Sequence, residues 1–384
     1  MKNIKLLNKI APCGTSIFTA DKYAVSTEIE NADAIMVRSA SMHDMEFEKS
    51  LEAIARAGAG VNNIPLEKCA EEGIVVFNTP GANANGVKEL AIAALLLASR
   101  DIVGGIKWAG TLETDVAKTV EKGKSAFAGQ EIKGKTLGVI GLGAIGGLVA
   151  NAASGLGMNV IGCDPYMTVA AAWKLNSGVH SAATFDEIYK DADYITLHVP
   201  STPSTKNMIN ADTLAMMKDG VRIINLSRAD LVNAADLKTA IESGKVASYV
   251  TDFPTEDIIN TPKIVAIPHL GASTAESEDN CAVMAANQLV DYLENGNITN
   301  SVNFPAVSMP RTGAARLVVL HKNQPEMIAK ITAVLSADGI NIENMASRSK
   351  GNYSCALLDC SKTVNDEQVA DIAAVDGIIR VLVK

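Results

Sequence analysis

Residues 137–164, LGVIGLGAIGGLVANAASGLGMNVIGCD, constrain this chain more than any other stretch. Four apolar residues, 137–140, read as a buried strand. Gly141, Gly143 and Gly146 follow at the spacing G-x-G-x-x-G, with Ala144 and Ile145 in the same turn. An alanine-rich segment then continues at helical spacing to Gly157. Residues 159–163 form a second strand ending on Asp164, 18 residues beyond Gly146. Each glycine has a mechanical reason. Gly141 permits the tight turn, Gly143 lets a pyrophosphate approach the backbone, and Gly146 lets helix and strand pack closely. The phosphates then meet free N–H groups at a helix N-terminus. Asp164 is placed to hold a ribose 2′-hydroxyl, and Pro165 and Tyr166 offer no cation for a 2′-phosphate. A glycine-rich turn without a ligand needs neither the second strand nor the acid, so the unit predicts bound NAD.

The rest of the composition limits the alternatives. With 384 residues the chain is long enough for two or three domains. Acidic residues outnumber basic ones 43 to 34, the net charge is −9, and no basic run exists to hold a nucleic acid. The six cysteines show no C-x-x-C and no metal-ligand spacing, so they read as reduced thiols of a cytoplasmic protein without a metal site. The opening MKNIKLLNKI has no apolar core of a secretory signal. The longest apolar run, 90–98, is about half of what a membrane crossing needs.

Strand and helix patterns alternate along most of the chain. Strands are expected at 4–7, 34–37 and 74–78, and helices at 47–55 and 87–99, followed by a charged helical stretch over 100–130. Beyond Asp164, strands are expected at 194–199, 222–226, 247–250 and 264–267, with helices between them. Such alternation predicts parallel α/β sheets. The ligand crevice of an open α/β sheet lies outside the carboxyl ends of its strands. Polar residues cluster at those ends, near 198–200, 226–228, 250–256 and 267–269. After a helix over 276–294 and a passage rich in Gly, Asn, Ser and Pro, the segment 316–384 reads βαββαβ, a ferredoxin-like module.

Among the strand-end residues, Arg228, Glu256 and His269 have the chemistry for oxidising a 2-hydroxy acid. His is the natural base for a hydroxyl proton. A carboxylate beside it favours the imidazolium, and the guanidinium fork suits a substrate carboxylate. From spacing alone, solvated loop ends and a capped turn at His269 account for these three residues better than a catalytic set does.

The segments GLGAIGG, HVPSTPST, INLSRADLV, DFPTED and PHLGAST occur in the order seen in the D-isomer-specific 2-hydroxyacid dehydrogenases, which the chain resembles over nearly its whole length. With NTPGAN before them, NSVNFP after them and the βαββαβ module, it most resembles members that act on a phosphorylated acid and carry an ACT domain. The resemblance implies a Rossmann-type cofactor domain, 91–281, inserted in a discontinuous flavodoxin-like substrate domain, 1–90 and 282–305. A linker, 306–315, and the ferredoxin-like ACT domain, 316–384, would follow. It implies that Arg228 positions substrate and that Glu256 pairs with His269, the acid/base. His198, Val199, Pro200, Thr205 and Gly271 would line the cofactor, with Asp252 at the nicotinamide amide. Arg38 and Ser39 match the segment contacting a phosphorylated substrate, and Gly60 and Asn83 match neighbouring cleft positions. His321, Asn323 and Asn341 match effector-binding positions for an amino acid such as serine. A homo-oligomer, dimer or tetramer, is expected.

Three residues depart from the family pattern. Ala229 stands where Gly commonly follows the catalytic Arg, Lys88 replaces a small residue, and Glu326 replaces the Gly after Pro325. Only Gly tolerates close backbone approach without strain, so Glu326 stands against serine binding. Two further functions fit the same fold: a dehydrogenase for glyoxylate, hydroxypyruvate or lactate, and a nicotinamide-sensing scaffold that has no use for Arg228, Glu256 and His269.

Overall fold

The computed structural model describes residues 1–384. The chain divides into two compact units, Met1–Ala82 with Glu278–Lys384, and Asn83–Ser277. In the first unit, β1 (Lys2–Leu6), β2 (Tyr23–Ser26), β3 (Ala34–Val37), β4 (Ala53–Arg56) and β5 (Val75–Phe77) form a parallel sheet in the order β2-β1-β3-β4-β5. This is the flavodoxin-like order. β3 and β5 are buried along their whole length, as short apolar runs must be when both faces are covered. Residues 47–55 are not a helix. Leu51, Ala53, Ile54 and Ala55 are all buried, and the apolar run is a strand of the sheet interior, which helical spacing cannot distinguish over so few residues.

The second unit holds β6 (Thr136–Ile140), β7 (Asn159–Cys163), β8 (Val179–Ser181), β9 (Tyr194–Leu197), β10 (Val221–Asn225), β11 (Val246–Thr251) and β12 (Ile264–Ala266). They form one parallel Rossmann-type sheet, β12-β11-β10-β9-β6-β7-β8. The order reverses between β6 and β9, which makes the crevice beyond Ile140 and Leu197 the switch point where a ligand binds. The stretch 100–130 contains the helices Ile102–Ala109 and Val116–Gly123. No helix of the chain is long and apolar enough to cross a membrane.

The remaining strands, β13 (Ala315–Lys322), β14 (Ile342–Lys350), β15 (Tyr353–Cys360) and β16 (Ile378–Val383), form an antiparallel sheet in the order β14-β15-β13-β16. Helices Met327–Ala337 and Asp366–Ala373 complete the ferredoxin-like βαββαβ chain order. This module lies in the first unit, and the reason is its alternating pattern. Leu317, Val319, Ala356 and Leu358 pack against Ile331, Leu335 and Ile372 of the module's own helices. Their neighbours Val318, Leu320, Cys355 and Leu357 share one core with Phe77, Leu289, Tyr292 and Phe304. Successive side chains point to opposite faces of a strand, so both faces of this sheet are covered.

A fully buried ion pair fastens the junction. Arg316 Nε donates to Asp359 Oδ1 at 2.6 Å and Nη2 to Oδ2 at 2.9 Å, both side chains being 0% exposed. The guanidinium also donates to the carbonyls of Met309 at 3.0 Å, Asn295 at 3.1 Å and Pro310 at 2.8 Å. Thr312 N–H donates to Asp359 Oδ2 at 2.8 Å. Burial alone would raise the Asp359 carboxyl, but the Arg316 and Thr312 hydrogen bonds outweigh it and hold it below the usual carboxylate range. A depressed carboxyl contributes stability that is present above the unfolded value and lost as the pH falls through the folded one. Asp359→Asn is therefore expected to cost about 3–5 kcal/mol at neutral pH, because it strands a buried guanidinium. Urea unfolding at pH 7 and below pH of about 4 checks this, and the difference between the two proteins should shrink in acid.

Candidate active site

The glycine turn follows β6 directly. Gly141 has φ +89°, and a Cβ there would lie 2.6 Å from the His198 carbonyl oxygen. A Cβ on Gly146 would lie 1.9 Å from the Gly141 carbonyl oxygen, whereas one on Gly143 would meet nothing within 4 Å. The fold itself thus requires the first and third glycines, and the second faces open space ahead of the helix Gly146–Gly155. Ala144 and Ile145 complete the turn. Asp164 is fixed at the end of β7, accepting from Leu142 N–H at 3.0 Å and Tyr166 N–H at 2.9 Å. A cavity of about 390 Å³ lies beside it, lined by Leu142, Asp164, Pro165, Met167, Leu175 and Ala182.

His198 directly follows β9, its N–H donating to the Ile140 carbonyl at 2.8 Å. Its Nε2 lies 2.9 Å from Thr196 Oγ1, and Nδ1 is buried with no partner. Burial pulls its pKa down to about 4, so the ring is neutral at physiological pH. Val199 packs against Gly141, and Thr205 Oγ1 closes the following loop by donating to the Pro200 carbonyl at 2.6 Å. Asp252, at the end of β11, is 1% exposed. Its Oδ2 accepts from Gly271 N–H at 3.3 Å, and Oδ1 has no partner. An open Gly143, an anchored Asp164 and two orphaned buried polar atoms are what a polar dinucleotide requires of its host, and NAD fits these residues.

Arg228 follows β10 and is held by its backbone. The fully buried Asn225 donates to the Arg228 carbonyl at 2.8 Å, and Ser227 Oγ donates to the Leu197 carbonyl at 2.7 Å. The Arg228 guanidinium carbon lies 5.6 Å from the Phe253 ring centroid, within cation–π range. The His269 ring lies 4.5 Å from the same centroid, inclined at 44°. One aromatic ring therefore seats both groups. No role for Phe253 is evident in the sequence, though its place directly after Asp252 at a strand end was the available signal. Burial raises the Asp252 carboxyl, opposed by the charges of His269 and Arg228. Glu256 is exposed and makes no hydrogen bond or ion pair with His269. Arg228, Asp252 and His269 are the groups gathered here.

In the first unit, Arg38 and Ser39 leave β3 in a turn built on Asn8. Its Oδ1 accepts from the backbone N–H groups of Arg38, Ser39 and Ala40, each at 3.0 Å. Arg38 Nη2 pairs with Glu278 Oε1 at 2.5 Å. Arg56, at the end of β4, donates from Nε to the Arg38 carbonyl at 3.1 Å. Its guanidinium has no acid partner, and a Cβ on Gly60 would lie 3.8 Å from Nη1. Burial lowers the Arg56 pKa, Cys281 acts in the opposite sense, and Arg38 adds to the lowering. Arg56 was readable only as part of the run R-A-G-A-G leaving a strand. Asn83 stands in the second unit, ahead of the helix Ala84–Ser99.

The three effector candidates do not meet within the chain. His321 is 4% exposed, with Nδ1 at 2.8 Å from the Lys322 carbonyl and Nε2 unpartnered. Asn323 donates to the Gly351 carbonyl at 3.0 Å. Both lie at the end of the sheet where Lys322 faces Tyr353, whereas Asn341 precedes the end where Ile342 faces Cys360. Glu326 has φ +66°, the left-handed conformation that favours the glycine it replaces.

Residues 92–271 match the model of the D-isomer specific 2-hydroxyacid dehydrogenase NAD binding domain. The chain belongs to the D-isomer-specific 2-hydroxyacid dehydrogenase family, and it is an NAD-dependent oxidoreductase of that class. It is 32% identical to D-3-phosphoglycerate dehydrogenase of Mycobacterium bovis, over 91% of this chain and 68% of that one. It is 35% identical to D-3-phosphoglycerate dehydrogenase of Bacillus subtilis, over 73% of this chain but only 53% of the relative's length. Among solved structures, NAD⁺-bound 3-phosphoglycerate dehydrogenase of Entamoeba histolytica superposes with a TM-score of 0.59 at 26% identity, covering 79% of this chain and 98% of that one.

The two glycines make opposite predictions. Gly143→Val should leave the thermal midpoint within about 2 °C, since a surface change away from special features costs little, yet abolish NADH binding measured by fluorescence. Gly146→Ala should destabilise the fold itself, because its methyl collides with the Gly141 carbonyl.

Proposed function

We propose that the chain oxidises D-3-phosphoglycerate to 3-phosphohydroxypyruvate with NAD, the step that commits carbon to serine synthesis. The observation that carries this reading is the seating of Arg228 and His269 on one Phe253 ring beside the buried Asp252. A fork-shaped cation and a base, held side by side at strand ends, suit a carboxylate next to a hydroxyl. Arg228 grips the substrate carboxylate and polarises the C2 oxygen. His269 takes the hydroxyl proton as the C2 hydrogen leaves with its electron pair. Bound NAD supplies the acceptor for that hydride. An anion beside His269 stabilises the imidazolium so formed. The family resemblance gives that role to Glu256, and the geometry favours Asp252.

The phosphate distinguishes this substrate from plain hydroxy acids. Arg56 has no acid partner and touches the Arg38 backbone, so two cations stand together where β3 and β4 end. The pairing of Arg38 with Glu278 is half-exposed and easily exchanged for a phosphate. A dehydrogenase for glyoxylate or lactate needs neither arginine.

His269→Ala should lower kcat by about 10²–10⁴, the usual share of a general acid/base. Arg38→Ala and Arg56→Ala should each raise KM for the phosphorylated acid by about tenfold or more while sparing its unphosphorylated analogue. Equal losses on both substrates would return the chain to the plain hydroxy-acid enzymes. Asp252→Asn should lower kcat more than Glu256→Gln does, and the reverse order would return the partner's role to Glu256.

A further inference from the structure

Strand β4 is four residues long, and both its ends carry charge chemistry. Arg56 stands at its exit. At its entry stands Glu52, 6% exposed, whose Oε1 accepts from Lys2 Nζ at 2.6 Å and whose Oε2 accepts from Lys384 Nζ at 2.5 Å. The Lys384 side chain is 4% exposed, and its ammonium lies 5.3 Å from the Tyr292 ring centroid. Arg380, from β16, donates through Nη2 to the Lys49 carbonyl at 2.7 Å and through Nη1 to the Leu51 carbonyl. The segment 49–52, which feeds β4, is therefore held by two cations of the antiparallel module.

Between the two ends lie Ala53, Ile54 and Ala55, all 0% exposed. There is no glycine or proline among them, and β3 and β5 flank them with full ladders. Close-packed interiors transmit displacement instead of absorbing it. From Glu52 to Arg56 the strand spans about 13 Å, at about 3.3 Å per residue. A small shift at the entry reaches the guanidinium at the exit, and bidentate anion recognition depends on its placement. Burial lowers the Lys384 pKa while Glu52 raises it, so the ammonium depends on this one carboxylate.

We propose that Lys384 and Arg380 are positioning residues for the phosphate-binding arginines, acting through Glu52 and β4, so that the antiparallel module sets affinity for the phosphorylated substrate without touching it. This rests on the functional reading above, and the test separates the two. In the full chain, Lys384→Met is compared with Lys384→Arg and Arg380→Met, well below each thermal midpoint. The expected result is a rise of about fivefold or more in KM for the phosphorylated acid, with kcat and the unphosphorylated analogue unmoved. Lys384→Arg should restore most of the loss. Equal changes on both substrates, or none, would overturn the proposal and leave Lys384 a structural contact. Calorimetric titration with inorganic phosphate reads the arginines without turnover. Weaker phosphate binding in Lys384→Met supports the coupling even if no acid is oxidised, whereas unchanged binding sinks it.

Discussion

Parallel strands can return only by crossing over a face of their sheet, and this constraint shapes everything functional in the chain. Every carboxyl end then falls on one edge, where loops are free to carry polar groups. In the second unit that edge collects Gly141, Asp164, His198, Arg228, Asp252 and His269, which are scattered over more than a hundred residues of sequence. In the first unit the same rule places Arg38 after β3 and Arg56 at the end of β4, adjacent strands of one sheet. Neither set needs a special fold element. Each is the ordinary product of sheet topology with unusual residues at the strand exits.

The antiparallel module obeys a different rule. Its strands alternate two apolar faces, and only one of them is covered by the module's own helices. The other is completed by residues of the flavodoxin-like sheet and the helix Ala275–Asn295. Arg316 then satisfies the carbonyls of the connecting segment, and Asp359 accepts from its Thr312 N–H, at a depth where an unpaired charge would be prohibitive. The result is one core shared between two sheets, with the module supplying one of its walls.

Much of this was legible in the sequence because it is written in local patterns. The glycine spacing, the acid after the second strand, and the polar clusters at strand exits are all short-range signals, and the fold and cofactor follow from them. What escaped depends on contacts between distant residues. Phe253 gains its role only when His269 arrives from another strand, and Arg56 only when Arg38 lies beside it. The run from Leu51 to Ala55 fits helical spacing and a buried strand equally, and the sheet decides between them. β2 and β8 are edge strands with weak patterns, which the sequence pattern left out. Membership of 316–384 in the first unit turns on which face of a period-two pattern finds a partner, something no single strand records. Glu326 is the converse case, a departure from family glycine that surfaces as a left-handed residue.

The orphaned atoms beside the cofactor turn have a consequence for the lifetime of the protein. Asp252 Oδ1 and His198 Nδ1 are sealed from water without a partner, a deficit of the order of 1–3 kcal/mol for each such group. A ligand that closes such deficits binds the native state alone and lowers the fraction of chains that are open at any moment. Proteolysis acts on that open fraction. Bound dinucleotide is thereby expected to slow the rate at which a protease cuts the folded chain.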